Sequence, residues 1–283
     1  MARKRSAWIA LCLVLALLAT ACTSKKTEAP TEQPKEEPKQ EAKGPKILTV
    51  GYWSSPDSFS PVTNKTTYGS TIFTLIYPSL MVMNDKLEFE GRLAENYTMN
   101  AEQTVFTFNL RKNAKWSDGK PITAHDVAYT FQVIAHPDTP TSRRSLIDTI
   151  KGLDATGVSE TKDFNVAGIK VLDDYTIEFT TKAPVDKDAF MEKVPAGIWI
   201  LPKHVLEPAV KADLKGLDKA EHVMKPTVFG GAYRLVEYKT DQYIELAPNP
   251  DYFMGAPKLD KLFVKIVGQA TFAAAIEKGE IDV

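Results

Sequence analysis

The chain of 283 residues has only 2 cysteines, Cys12 and Cys22, so it cannot be a disulfide scaffold. It has no excess charge of one sign. Its 35 Lys+Arg face 36 Asp+Glu, a balance that argues against a dedicated nucleic-acid partner. It is poor in histidine. His125, His136, His204 and His222 are scattered, with no HExxH, HxH or Cys/His spacing, so no metal site is expected. The GxSxG elbow, the Walker loop and GxGxxG are also missing. SDGK at 117–120 satisfies an SxxK pattern, but on a strand-to-turn segment and with no KTG box after it. Paired acids such as Asp173 and Asp174, or Glu280 and Asp282, fall at turns and ends, where solvated carboxylates are the rule. The expectation is a protein that is not an enzyme, with no catalytic residue and no cofactor.

What is present is an ordinary globular balance, 43% hydrophobic and 25% charged, behind an unusual start. Arg3, Lys4 and Arg5 precede an apolar run over 8–19. That run is shorter than the roughly 18 residues a membrane span needs, and it reads as a signal peptide over 1–21. The stretch LATAC at 18–22 resembles a bacterial lipobox, with Ala19 where leucine is usual. That resemblance implies cleavage before Cys22 and lipidation of Cys22, which would anchor the chain to a membrane on its extracytoplasmic face. Residues 22–45 are rich in Lys, Glu, Pro, Gln and Thr and lack aromatics, so they are predicted to form a disordered tether.

From about residue 46 the chain alternates strands, turns and helices, an α/β pattern with room for a large core. Residues 47–50 read as a buried strand ended by Gly51, followed by a loop rich in Ser, Pro and Asn over 54–65. Residues 69–83 read as a helix entering a strand, interrupted at Pro78. Residues 105–110 alternate so that Phe106, Phe108 and Leu110 share one face. Thr123 and Asp126 read as the capping box of a helix that carries Val127, Phe131 and Ile134 on one side. Further strands are predicted over 175–181, 233–238, 243–246 and 262–267, then a helix over 270–278 with Gly279 as its cap. Residues 280–283 read as the start of another strand. The sequence is therefore expected to be the N-terminal part of a longer protein, with exposed apolar surface at 262–267 and 281–283.

One stretch is long and specific: FTFNLRKNAKWSDGKPITAHDV at 106–127. LAENY at 93–97, LPKHV at 201–205, GAYRL at 231–235, NPDYF at 249–253 and GEIDV at 279–283 accompany it in order. Together they resemble the bacterial extracellular solute-binding family that serves oligopeptide, dipeptide and nickel ABC importers. The resemblance implies a class II periplasmic-binding-protein-like fold, with two lobes around a cleft and an α+β domain inserted in the first lobe. It places the first lobe at 46–79 and 169–270, the insert at 80–168 and the start of a second lobe at 271–283, with most of that lobe missing. It implies a monomer that captures oligopeptides and passes them to permease and ATPase subunits. Alternatives are a receptor for nickel chelates or other small solutes, and a peptide sensor without transport. Ligand contacts are expected in the loop after the first strand, at Lys65, Thr66 and Thr67 flanked by Asn64 and Tyr68. Trp53, Ser54 and Ser55 are weaker candidates there. Arg143 of the insert is a candidate partner for a peptide carboxylate. Trp116, Asp118, Gly119, Thr123 and Asp126 are expected to build the fold and not to bind.

Overall fold

The computed structural model describes residues 44–161 and 163–283; the predicted leader, the predicted lipidation site Cys22 and nearly all of the predicted tether lie outside them. Two four-stranded sheets organise the described chain. The first is mixed. β1 (Ile47–Tyr52) runs parallel to β10 (Lys261–Ile266), and β9 (Tyr243–Pro248) and β8 (Tyr233–Lys239) continue it antiparallel in the order β1-β10-β9-β8. The second is antiparallel, in the order β4-β5-β7-β6, from β4 (Ala94–Met99), β5 (Val105–Leu110), β7 (Thr176–Thr180) and β6 (Ile169–Asp173). A short ladder of β2 (Met81–Met83) and β3 (Phe89–Gly91) stands between them in sequence.

The alternation of β5 does what its sequence predicts. Phe106, Phe108 and Leu110 point inward and are buried. Phe106 stacks on Phe190 of α3 (Lys187–Lys193), with ring centroids 4.0 Å apart. Phe179 of β7 meets Phe108 and Phe131 of α2 (Ala124–Ala135). Each such side chain contributes about 1.5–3 kcal/mol on burial. The capping box at α2 is also present: the Asp126 carboxylate accepts the Thr123 N–H at 2.9 Å. Its other oxygen accepts the Lys203 N–H at 2.8 Å, so one buried acid fixes the starts of both α2 and α4 (Lys203–Asp213).

α1 (Tyr68–Ile76) ends before Pro78, as the ring of that residue requires. The helices α3, α4 and α5 (Glu221–Met224) were not expected from the sequence. Pro208 inside α4 hid its periodicity, and α3 and α5 are too short for a strong pattern. The last helix, α6 (Phe272–Glu277), follows a 3-10 turn at Gln269–Thr271, and Gly279 takes φ 67° just beyond it, the left-handed cap that glycine accommodates.

Three expectations differ from the structure. Residues 169–180, assigned to the first lobe, hydrogen-bond through β7 to β5 of the segment read as the insert. Pairing across distant sequence, and not local pattern, decides that boundary. Residues 262–267 are not an exposed apolar surface, because Leu262, Val264 and Val267 are all buried. Residues 280–283 form no strand, but the Asp282 N–H donates to Thr49 O and the Gly51 N–H to Val283 O, both at 2.7 Å. Ile281 is only 2% exposed, whereas Val283 is 58% exposed. Gly51 permits this arrangement. A Cβ there would lie 2.5 Å from both Ile281 and Phe272.

Candidate functional site

The loop that leaves β1 and enters α1 is held down at several points. Its Phe59 ring packs edge-on against Tyr238 at 4.9 Å, and the Tyr238 hydroxyl donates to Pro56 O at 3.2 Å. Ser55 Oγ accepts the Asp241 N–H at 2.8 Å, which ties the loop to the β8–β9 hairpin. Where the loop closes, the Tyr52 and Tyr68 rings meet with centroids 6.2 Å apart. Partial burial raises the Tyr52 phenol above its ordinary range. Small and polar residues suit such a path, because their side chains satisfy a main chain that follows neither helix nor sheet.

Each expected ligand residue has a definite setting. Asn64 is 1% exposed, and its amide donates to Asp57 Oδ1 and to Thr66 Oγ1. It supports the loop from below. The Lys65 side chain is 64% exposed and pairs loosely with Asp218 at 3.6 Å. Its N–H donates to Asp57 Oδ2 at 2.9 Å, so the Lys65 main-chain donor is already engaged. Thr66 and Thr67 differ. Their N–H groups have no acceptor among the described residues. Thr67 is the N-cap of α1 without a side-chain hydrogen bond, and the first turn carries no acid. The partial positive charge of that helix start therefore faces the same loop. Trp53 is 53% exposed and meets Phe272 edge-on at 6.3 Å. Ser54 is exposed, and Ser55 is committed to the hairpin. Tyr68 lies beside Tyr52, which brings the two groups of candidates to one end of β1.

Arg143 is neither a solvated arginine nor an open one. Its Nε donates to Pro61 O at 3.2 Å, and its guanidinium lies over the Trp199 ring at 5.5 Å. Burial lowers its pKa from the ordinary arginine value. Ser142 Oγ, one residue earlier, donates to Asn64 O at 3.4 Å. The segment around Arg143 thus reaches the loop, but the arginine spends part of its donor set holding it. The neighbouring Arg144 donates to the carbonyls of His136, Pro137 and Thr139, closing a turn of its own.

Sequence reasoning missed Asp57, whose carboxylate gathers Asn64, Lys65 and Thr66. An aspartate after proline in a Ser-rich loop is a residue type that bonds nearby main chain, and that was the available signal. It also missed Trp199, for which no local signal existed. A groove of about 1350 Å³ lies elsewhere, along β8 and between Trp116, Met224 and Asn249. It includes none of the expected ligand residues. No cluster of His, Cys, Asp and Glu suited to a metal ion is present among the described residues. No helix among them is long and apolar enough to cross a membrane.

Comparison with known proteins identifies the frame described above. The architecture is that of a class II periplasmic binding protein, mixed α/β. The chain belongs to the bacterial extracellular solute-binding proteins, family 5, whose middle-region model matches residues 88–283. Its fold is similar to the crystallised oligopeptide-binding protein AppA of Bacillus subtilis, solved with a nonapeptide, at TM-score 0.71 and 26% identity. That match covers 84% of this chain and 44% of AppA. Haemophilus influenzae OppA, solved with the peptide RPPGFSPFR, shares the fold at TM-score 0.71 and 23% identity, covering 84% of this chain and 45% of its own. Among curated sequences, Bacillus subtilis AppA is 29% identical over 237 residues, 83% of this chain and 40% of the relative. The chain thus spans about two fifths of the length of that relative. The family is one of solute-binding proteins and not an enzyme family.

Proposed function

We propose that this protein is the substrate-binding lipoprotein of an ABC importer, which captures oligopeptides outside the membrane and delivers them to permease and ATPase subunits. The observation that carries the reading is the shared fold with AppA, solved with a nonapeptide bound. The loop after β1 supports it. Thr66 and Thr67 offer adjacent main-chain N–H groups with no partner among the described residues, at the carboxyl end of a strand where ligands of open α/β sheets bind. An extended peptide recognised through its main chain adds like a strand, so its side chains are free to vary. Lys65, Thr66, Thr67 and Tyr68 are the contacts, Asn64 is support, and Trp53 with Ser54 forms the outer shelf. Ser55 and Arg143 serve chiefly as braces. Closure of a second lobe over this loop would trap the peptide, and a micromolar dissociation constant corresponds to about −8 kcal/mol. The protein performs no chemistry on its cargo. It works as a monomer held to the extracytoplasmic face of the membrane through lipid on Cys22.

Mass spectrometry of ligand that co-purifies with the full-length gene product tests the reading. Peptides of mixed sequence are the expected cargo. A metal chelate in their place, or a protein that ignores nonapeptides altogether, overturns it. Cys22→Ser should move the protein from the membrane fraction to the medium or periplasm, and a protein that stays with the membrane would refute the anchor.

A further inference from the structure

The loop after β1 is gripped from two sides by charged residues, and both grip main-chain atoms. On one side Arg143 Nε donates to Pro61 O at 3.2 Å. On the other, the Asp57 carboxylate accepts the Lys65 N–H at 2.9 Å, the Thr66 hydroxyl at 3.1 Å and the Asn64 amide. Asp57 is itself exposed, and no ion pair among the described residues engages it. The nearby cation does not go to it, since Lys65 Nζ lies against Asp218 instead. The acid is therefore reserved for Asn64, Lys65 and Thr66, the run of chain that carries and leads into the open N–H groups of Thr66 and Thr67. By taking the Lys65 N–H and the Thr66 hydroxyl, it fixes which main-chain donors of this loop stay available.

We infer that Asp57 is a positioning residue for ligand recognition. It preorganises the Lys65–Thr67 main chain so that the Thr66 and Thr67 N–H groups present themselves to an extended peptide. The inference rests on the reading of this loop as the peptide contact. Preorganisation of this kind raises affinity by removing an ordering cost that binding would otherwise bear. Asp57 need not touch the peptide to matter.

The test uses the full-length gene product and the nonapeptide RPPGFSPFR, by calorimetry, with amide hydrogen exchange on the unliganded protein. Asp57→Ala should weaken binding about tenfold, the scale of one or two lost charge-assisted hydrogen bonds. It should also speed exchange at the Lys65 N–H. Asp57→Asn keeps an acceptor oxygen for Lys65 and should recover most of both effects. If Asp57→Ala does not fold, Asp57→Ser, too short to reach Lys65, takes its place. A removal variant that binds within twofold of the parent, or exchanges Lys65 at the parental rate, overturns the inference. Thr67→Pro separates this outcome from failure of the function itself. Thr67 already has φ −76°, which proline accepts, so the change deletes one N–H and little else. If Thr67→Pro weakens binding and Asp57→Ala does not, only the role of Asp57 falls. If the parent ignores the nonapeptide, both readings fall.

Discussion

Two turns of this protein look alike in composition and behave differently. The turn after β5, over 111–123, and the loop after β1, over 53–67, both follow a strand and both mix Ser, Asp, Asn, Pro and Lys. In the first, the main chain is closed on itself. Trp116 N–H donates to Lys120 O at 2.8 Å and Gly119 N–H to Trp116 O at 2.9 Å, while Ser117 exchanges bonds with Phe229 at 2.7 and 3.0 Å. Gly119 takes φ 86° with open space around its Cα, so glycine is needed there for conformation alone. Trp116 is 2% exposed and packs on Gly230, where a Cβ would meet its ring at 2.8 Å. In the loop after β1, by contrast, the side chains support the main chain from beneath and leave adjacent N–H groups without partners. The lesson is that similar composition supports two outcomes: a turn whose main chain closes on itself, and a loop whose Thr66 and Thr67 N–H groups have no acceptor among the described residues.

Substitutions can break or sharpen that contrast, beginning with the largest effect. Trp116→Ala should cost about 3–5 kcal/mol of stability through the cavity it leaves, read as a fall in the urea midpoint. A loss below about 1 kcal/mol would mean that the signature turn is not a packing anchor. Asp126→Ala should cost about 2–3 kcal/mol, since it strands the part-buried N–H of Lys203 and uncaps α2. Thr123→Ala, which keeps the acid, should cost less.

A third test uses pH. Burial, with help from nearby His204, lowers the His222 pKa to about 4 from an ordinary 6.5. The unfolded chain therefore takes up this proton first as pH falls, and the native state is penalised. Stability from this group is full above about 6.5 and declines toward 4. Between pH 7 and 5 the loss should be at most about 2 kcal/mol, because the ring is only partly buried. His222→Leu should flatten that slope. A slope unchanged in the variant would place the titration elsewhere in the molecule. The smallest effect belongs to Lys65→Ala. It should change stability by less than about 0.5 kcal/mol, since its contact with Asp218 is exposed and long. A large loss would make the loop a structural element like the turn after β5 and erase the contrast.

Much of the frame was legible because it rests on short-range physics. The two-residue period of β5, the capping box at Thr123 and Asp126, the break at Pro78 and the cap at Gly279 all depend on neighbours within a few positions. Other features were not legible, for equally physical reasons. β7 joined the other sheet because its partner is β5, far back in the chain, and β6 follows by pairing with β7. α4 was hidden by its internal Pro208. Within the candidate site, 64–68 could be proposed from a family resemblance, but Arg143 could not be told from a solvated surface arginine.

The sequence by itself determined a folded α/β body, the membership of its most specific segments in one family, and the elements whose periodicity is local. Tertiary structure alone decided which polar groups are engaged and which remain open. Arg143 and the Pro61 carbonyl are 82 positions apart, and Asp126 reaches Lys203 across 77. A hydrogen bond is satisfied by proximity in space, and no local pattern records which distant residue will supply it.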